Sequence, residues 1–305
     1  MRKGVITLLL MAILAGLEAI SAKTNFYEEN LFDSLSNGDK VAILMVHFGT
    51  SHSDTRSKTI NALNERVSER YPDIEQREAW TSRMVINIMA KGGERIDNPA
   101  EALAQLREEG YTHIIIQSSN IIEGVEMESL RRDVLAARAN FKEIRVGNPL
   151  LYNRGDYEVV VDALRERQPS KGALVLVGHG TYTPATAQYA MVDYIINDRG
   201  YKAMHIGTIE GYPDFDSMSA RLKRDRVKEV LLMPFMFVAG EHARNDIAGD
   251  WSEELTEQGY RVSSLLEGLG ELPAVQELFL EHIDFAIKNR MYDIIEKKAT
   301  YAAEK

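Results

Sequence analysis

The sequence predicts an α/β fold of two similar lobes, each a parallel sheet flanked by helices, with a cleft between the lobes. Three observations carry that expectation. Continuous apolar runs, such as Val41-Ala-Ile-Leu-Met-Val46 and Ala173-Leu-Val-Leu-Val177, read as strands buried on both faces, which is the mark of a parallel sheet. Stretches of helical periodicity alternate with these runs through short links. The order then restarts. Ala42-Ile-Leu-Met-Val-His47-Phe-Gly-Thr50 matches Ala173-Leu-Val-Leu-Val-Gly-His179-Gly-Thr181, and Ile114-Ile-Ile-Gln117 leading to Gly124 matches Val230-Leu-Leu-Met233 leading to Gly240.

The elements follow in order. Residues 1–22 open with Arg2 and Lys3, continue through an apolar run from Gly4 to Leu17 and end in small residues at Ser21 and Ala22. That is the shape of a cleavable secretory signal peptide, and the run is short for a membrane span. Export to the periplasm or cell envelope is expected, with no membrane span left after processing. The N-terminal lobe, residues 23–150, begins with a polar lead-in and holds strands at 41–46, 74–80, 112–117 and 143–147. Its helices fall at 55–71, ended by Pro72, at 99–109, with Pro99 in the first turn and Gly110 closing it, and at 124–138. The C-terminal lobe, residues 151–305, carries the metal site. Its strands are expected at 173–177, 203–208, 227–234 and 261–265, and its helices at 156–167, 184–197, 218–224, 241–258 and 273–288.

Composition removes several classes of function. The 305 residues carry a formal net charge of −10 and no cysteine. Thiolate metal sites, Fe–S clusters and disulfides are therefore excluded. An acidic chain without a basic run is a poor match for nucleic acid, which demands a clustered positive field. Neither GxGxxG nor GxxxxGK[ST] precedes a helix, so no nucleotide is expected, and no GxSxG elbow occurs.

Ligands of open α/β sheets bind beyond the carboxyl ends of the strands. The polar residues expected there are His179, Glu210 and His242, spaced about one βα unit apart. His179 stands between two glycines, which permit a tight turn and a close approach. His242 opens a helix, whose dipole disfavours added positive charge and so suits a metal-binding imidazole. Two imidazoles and a carboxylate can hold a borderline divalent metal with positions left open. His47 stands at the corresponding end of the first strand, where core, rim and function are equally open. His52, His113, His205 and His282 lack partners at metal spacing and read as structural. Met236 and its aromatic neighbours read as core by default, and at a cleft lip they would suit a flat apolar ring.

The segments VHFGTSHSDT (46–55), IIIQSSNIIEG (114–124), VGHGT (177–181), IEGYP (209–213), MPFMFVAGEHARND (233–246) and LEGLGELPAV (266–275) resemble the sirohydrochlorin cobaltochelatases of the ATP-independent class II tetrapyrrole chelatases. The resemblance implies a two-lobed fold with a tetrapyrrole cleft, and insertion of a divalent metal substrate, Co²⁺ and less selectively Fe²⁺, without nucleotide. It implies metal ligation by His179, Glu210 and His242, with His179 or Glu210 taking a pyrrole proton. Phe48, Thr50, Ser51, Asn120 and Met236 are the expected tetrapyrrole contacts. Family members usually carry histidine where Asn120 stands. The partner is then a tetrapyrrole, sirohydrochlorin or haem. Exported relatives are linked to haem handling, so an exported haem-binding protein or haem dechelatase is the alternative reading. Homo-oligomerisation stays open.

Overall fold

The computed structural model describes residues 25–303; the expected signal segment lies outside them. The strands, in chain order, are β1 (Phe26–Glu28), β2 (Val41–His47), β3 (Glu75–Trp80), β4 (His113–Ser118), β5 (Glu143–Val146), β6 (Ala173–Gly180), β7 (Met204–Glu210), β8 (Glu229–Pro234), β9 (Arg261–Ser264) and β10 (Asn289–Met291). Helices occupy most of the connections. Two of them contain π-wound stretches, Ser57–Asn61 after β2 and Ala243–Trp251 after β8. Such winding is rare and concentrates at functional sites.

Two four-stranded sheets result, with orders β3-β2-β4-β5 and β7-β6-β8-β9, every neighbouring pair being parallel. Counted within each sheet, both orders are 2-1-3-4. The internal repeat of the sequence is thus a repeat of topology. Ala42 to Val46 in β2 and Ala173 to Val177 in β6 are wholly buried, as central strands covered on both faces must be. Ala42, Leu44 and Val46 pack with Leu103 and Leu106 of helix Pro99–Glu108 and with Met127 and Leu130 of helix Val125–Ala137. Val175 and Val177 do the same with Met218, Ile247 and Trp251 in the second sheet.

Local chemistry sets the helix starts. Asn98 accepts from the backbone N–H groups of Ala100 and Glu101, while Glu101 reaches back to the N–H of Asn98, and Pro99 needs no donor partner in the first turn. Asn153 and Asp156 repeat that arrangement at helix Arg154–Arg165.

The chain groups differently from a division at residue 150. Residues 40–283, with both sheets, form one compact unit; residues 25–39 and 284–303 form another. In the smaller unit β1 pairs antiparallel with β10, Phe26 meets Phe285 edge-on at 4.9 Å, and helix Ile294–Ala303 follows. In the larger unit the helix beginning at Pro273 has partners in both halves of the chain: Gln276 donates to the Gly270 carbonyl at 2.7 Å and Phe279 meets Phe237 edge-on at 5.7 Å. Arg66 bonds Glu277, and the His282 imidazole meets the Asn148 carbonyl at 3.2 Å. The polar lead-in therefore includes a strand. Helix Arg83–Lys91, which the sequence reading did not contain, starts at the capping Ser82.

Positive-φ glycines differ in what surrounds them. Gly110 (φ +82°) has open space where a Cβ would stand, whereas at Gly180 (φ +88°) a Cβ would lie 1.7 Å from the Glu210 carbonyl oxygen. Gly110→Ala should cost about 1–2 kcal/mol, the left-handed penalty alone. Gly180→Ala should cost above about 3 kcal/mol, because backbone must also move. Urea unfolding of the two variants checks the difference; equal losses would contradict the packing at the end of β6.

Candidate metal and tetrapyrrole site

In a 2-1-3-4 sheet the loops leaving strands 1 and 3 diverge, and the crevice between those strand ends is where ligands bind. The second sheet has that crevice between β6 and β8. His179 is the penultimate residue of β6, and His242 directly precedes the π-wound stretch after β8. Their rings meet edge-on with centroids 4.7 Å apart. The flanking glycines are required by contact. A Cβ at Gly178 would stand 2.4 Å from the Tyr189 ring, and one at Gly180 would strike the β7 backbone. Burial pushes the Tyr189 hydroxyl up to about 12, so it stays protonated and its oxygen accepts from the Gly180 N–H at 3.3 Å.

The other ring nitrogens are already engaged. His242 Nδ1 lies 2.6 Å from the Asp246 carboxylate and His179 Nδ1 lies 3.3 Å from the Gly180 carbonyl. Carboxylate and carbonyl oxygens accept only, so both Nδ1 atoms carry the proton. In the neutral imidazole each Nε2 then offers a lone pair. This is the outer-shell pattern of metal-binding histidines, in which the second nitrogen fixes tautomer and ring orientation.

The first sheet has its equivalent crevice between β2 and β4. His47, the last residue of β2, is 1% exposed. Its Nδ1 lies 2.9 Å from Ser119 Oγ, just past β4, and its Nε2 lies 3.0 Å from Asn64 Oδ1. Asn64 in turn donates to Glu78, whose second oxygen accepts from Trp80 Nε1 at 2.7 Å. Burial holds the His47 imidazole below the usual histidine range, outweighing the nearby Glu78 charge. Gly49 (φ +97°) corresponds to Gly180 (φ +88°), so Phe48 stands where His179 does and His47 matches Gly178.

One cavity of about 370 Å³ joins the two crevices, its wall including His47, Ser119, His179 and His242. All five expected ring contacts, Phe48, Thr50, Ser51, Asn120 and Met236, line it. Its size and mixed lining are those of a small-molecule site. The Asn120 Nδ2 group is buried without an acceptor among the described residues. No Lys or Arg is among the residues lining the cavity. Arg244 pairs with Asp54 at 3.0 Å and His52 with Glu241 at 2.9 Å. These two pairs tie the helix start after β2 to the one after β8, and Thr55 adds a bond to the Ala239 carbonyl at 3.2 Å.

Glu210 departs from expectation. It ends β7, on the far side of β6 from the crevice; its backbone pairs with Gly180, but its side chain is exposed and outside the cavity wall. Among the described residues no three His, Cys, Asp or Glu side chains converge as metal ligands. The structure thus brings His179 and His242 together and leaves Glu210 out, because the sheet order sends the loop after β7 to the other side. Sequence reasoning missed Asp246, whose signal is the i, i+4 spacing from His242 on one helix. It also missed His52 at the cavity wall, and Asn64. His113, His205 and His282 are buried away from the cavity.

Known proteins resemble this chain in sequence and in fold. The family model described as cobalt chelatase (CbiK) matches residues 41–288. The sirohydrochlorin cobaltochelatase of Salmonella typhimurium is 37% identical over 256 residues, covering 81% of this chain and 97% of that protein. The sirohydrochlorin cobaltochelatase CbiKC of Nitratidesulfovibrio vulgaris is 34% identical over 258 residues, covering 81% of this chain and 91% of that protein. Among solved structures, SirB from Bacillus subtilis with Fe³⁺ shares the fold at a TM-score of 0.58 and 15% identity, over 81% of this chain and 96% of that one. With two sheets of one topology, a paired-histidine crevice and a match that runs from β2 to the last residue of helix Pro273–Lys288, the chain belongs to the cobalt chelatase (CbiK) family.

Proposed function

We propose that this chelatase inserts Co²⁺, and less selectively Fe²⁺, into sirohydrochlorin in the cell envelope without using a nucleotide. The observation that carries the reading is the His179–His242 pair, with both Nδ1 atoms engaged and both Nε2 atoms free at the cavity. Insertion requires the metal to shed water, two pyrrole protons to leave and the macrocycle to be held against the ion. His179 and His242 take the ion through Nε2. The family resemblance implies Glu210 as a third ligand; its side chain, exposed and outside the cavity wall, would have to turn across β6 to join His179 and His242. Phe48 and Met236 provide apolar walls for the ring, and Asn120 Nδ2 donates to a ring substituent. With Glu126 and Glu241 on the wall and no cation there, the acidic side groups of the ring point outward to solvent.

The tautomers alter the assignment of the base. A histidine with Nδ1–H bonded and Nε2 on a metal has no nitrogen left to accept a proton. His179 is accordingly a ligand, and the proton goes elsewhere.

The N-terminal segment favours a second reading on the same scaffold, an exported haem-binding protein or haem dechelatase. Asn120 supplies no imidazole for haem iron from that wall. An absorbance titration separates the readings. Sirohydrochlorin with Co²⁺ should show the spectral shift of metal insertion faster than a protein-free control; tight haem binding with no accelerated insertion would favour the carrier.

Replacement of His242 by Ala should weaken Co²⁺ binding by about 10–100-fold or more, and Asp246→Ala by about 10–100-fold through loss of ring orientation. Calorimetry measures both; unchanged affinity in either removes that residue from the site. For export, N-terminal sequencing of protein recovered from cell fractions should find a chain starting near Ala22 or Lys23 outside the cytoplasm. A cytoplasmic chain starting at Met1 contradicts it.

A further inference from the structure

We propose that Ser119 and His47 form a proton relay, on the wall opposite the metal ligands, that accepts one pyrrole proton during insertion. The inference rests on the chelatase reading above and names a group that reading lacks. Four observations support it.

The first is tautomeric. The Glu78 carboxylate only accepts, so the Asn64 group bonded to it is the NH₂, and Oδ1 is the atom facing His47. His47 Nε2 must then donate, which leaves Nδ1 as the lone-pair nitrogen. Ser119 Oγ–H donates to that lone pair across 2.9 Å. The chain Glu78–Asn64–His47–Ser119 therefore has one direction, and it ends on a hydroxyl oxygen with acceptor capacity at the cavity.

The second is position. His47 and Ser119 lie at the crevice of the first sheet, as His179 and His242 do at that of the second, and all four line the same cavity. A flat ring held between the walls presents its nitrogens to both. The third is protonation state. Burial lowers the His47 pKa, and the charged groups facing it are Glu78 on β3 and Arg56 ahead of helix Ala62–Arg70. Phe237, 6.0 Å away on the loop after β8, stacks on its ring without adding charge. The imidazole is thus neutral and able to accept at neutral pH. The fourth is need, because His179 and His242 cannot accept while they hold the metal.

The step balances without a further reactant. The pyrrole N–H bond breaks and its proton passes to Ser119 Oγ as the serine's own proton passes to His47 Nδ1. The electron pair left on the pyrrole nitrogen goes to the metal. His47 becomes an imidazolium with one N–H on Ser119 and one on Asn64, and returns its proton to water through Ser119 after the product leaves.

Steady-state Co²⁺ insertion into sirohydrochlorin tests the relay, with wild type, Ser119→Ala, Ser119→Thr and His47→Gln compared and folding checked by circular dichroism. Ser119→Ala should lower kcat by about 10²-fold, with KM for the ring and calorimetric Co²⁺ affinity unchanged. Ser119→Thr, which keeps the hydroxyl, should recover most of the rate, and His47→Gln should match Ser119→Ala. At saturating Co²⁺, wild-type kcat should hold to a pH below the ordinary histidine range and fall there as His47 protonates; Ser119→Ala should lack that fall. Wild-type kcat in Ser119→Ala, or parallel losses of kcat and Co²⁺ affinity, overturns the relay while leaving the chelatase reading intact. A wild type that inserts no metal overturns both.

Discussion

At the end of β6 the backbone of Gly180 runs so close to the Glu210 carbonyl that no side chain fits between them. One residue earlier, His179 is held between this contact and the Tyr189 ring packed on Gly178. The imidazole is therefore aimed by backbone packing and not by a flexible loop. Its partner is aimed differently, since His242 is turned by Asp246 one helical turn further on. These two devices, one steric and one electrostatic, bring the rings to 4.7 Å in a cavity whose wall is otherwise mostly apolar and small polar, with Glu126, Glu241, His47 and His52 also on it. The preorganisation is what a metal that must shed its water needs.

The repeated sheet gives the cleft two unlike walls. Both sheets run 2-1-3-4 and both place their crevice at the cavity. The second crevice carries free Nε2 lone pairs and the first carries a buried His–Ser pair. On the proposed roles, the same topology serves once as a ligand wall and once as an acid–base wall. Contacts between the two helix starts, His52 with Glu241 and Asp54 with Arg244, lie on one side of that cavity. Both pairs involve well-exposed partners, and such pairs are worth little individually.

Most of the fold was legible in the sequence, because doubly buried strands such as β2, β4 and β6 can hardly be read otherwise. The parts that were not legible have weak local signals. β1 and β10 are three residues each and are set by pairing between distant ends of the chain. Helix Arg83–Lys91 turns Met84 and Ile88 to solvent and buries only Val85, so its apolar residues do not mark a core face. At the site, His179 and His242 were legible from glycine context and helix position. Glu210 ends the neighbouring strand β7 with its side chain outside the cavity wall, a placement that depends on strand order, which spacing along the chain does not encode. His47, Asn64 and Ser119 become a unit only when residues 17 and 72 positions apart meet, and no single motif announces that.

On the proposed function, His179 and His242 together receive the metal. X-ray absorption spectroscopy at the cobalt edge of the Co²⁺-loaded protein, without tetrapyrrole, addresses it directly. Two imidazole nitrogens are expected in the first coordination shell, falling to one in His179→Ala. A wild-type shell with one imidazole or none, or a shell that His179→Ala leaves unchanged, would contradict it.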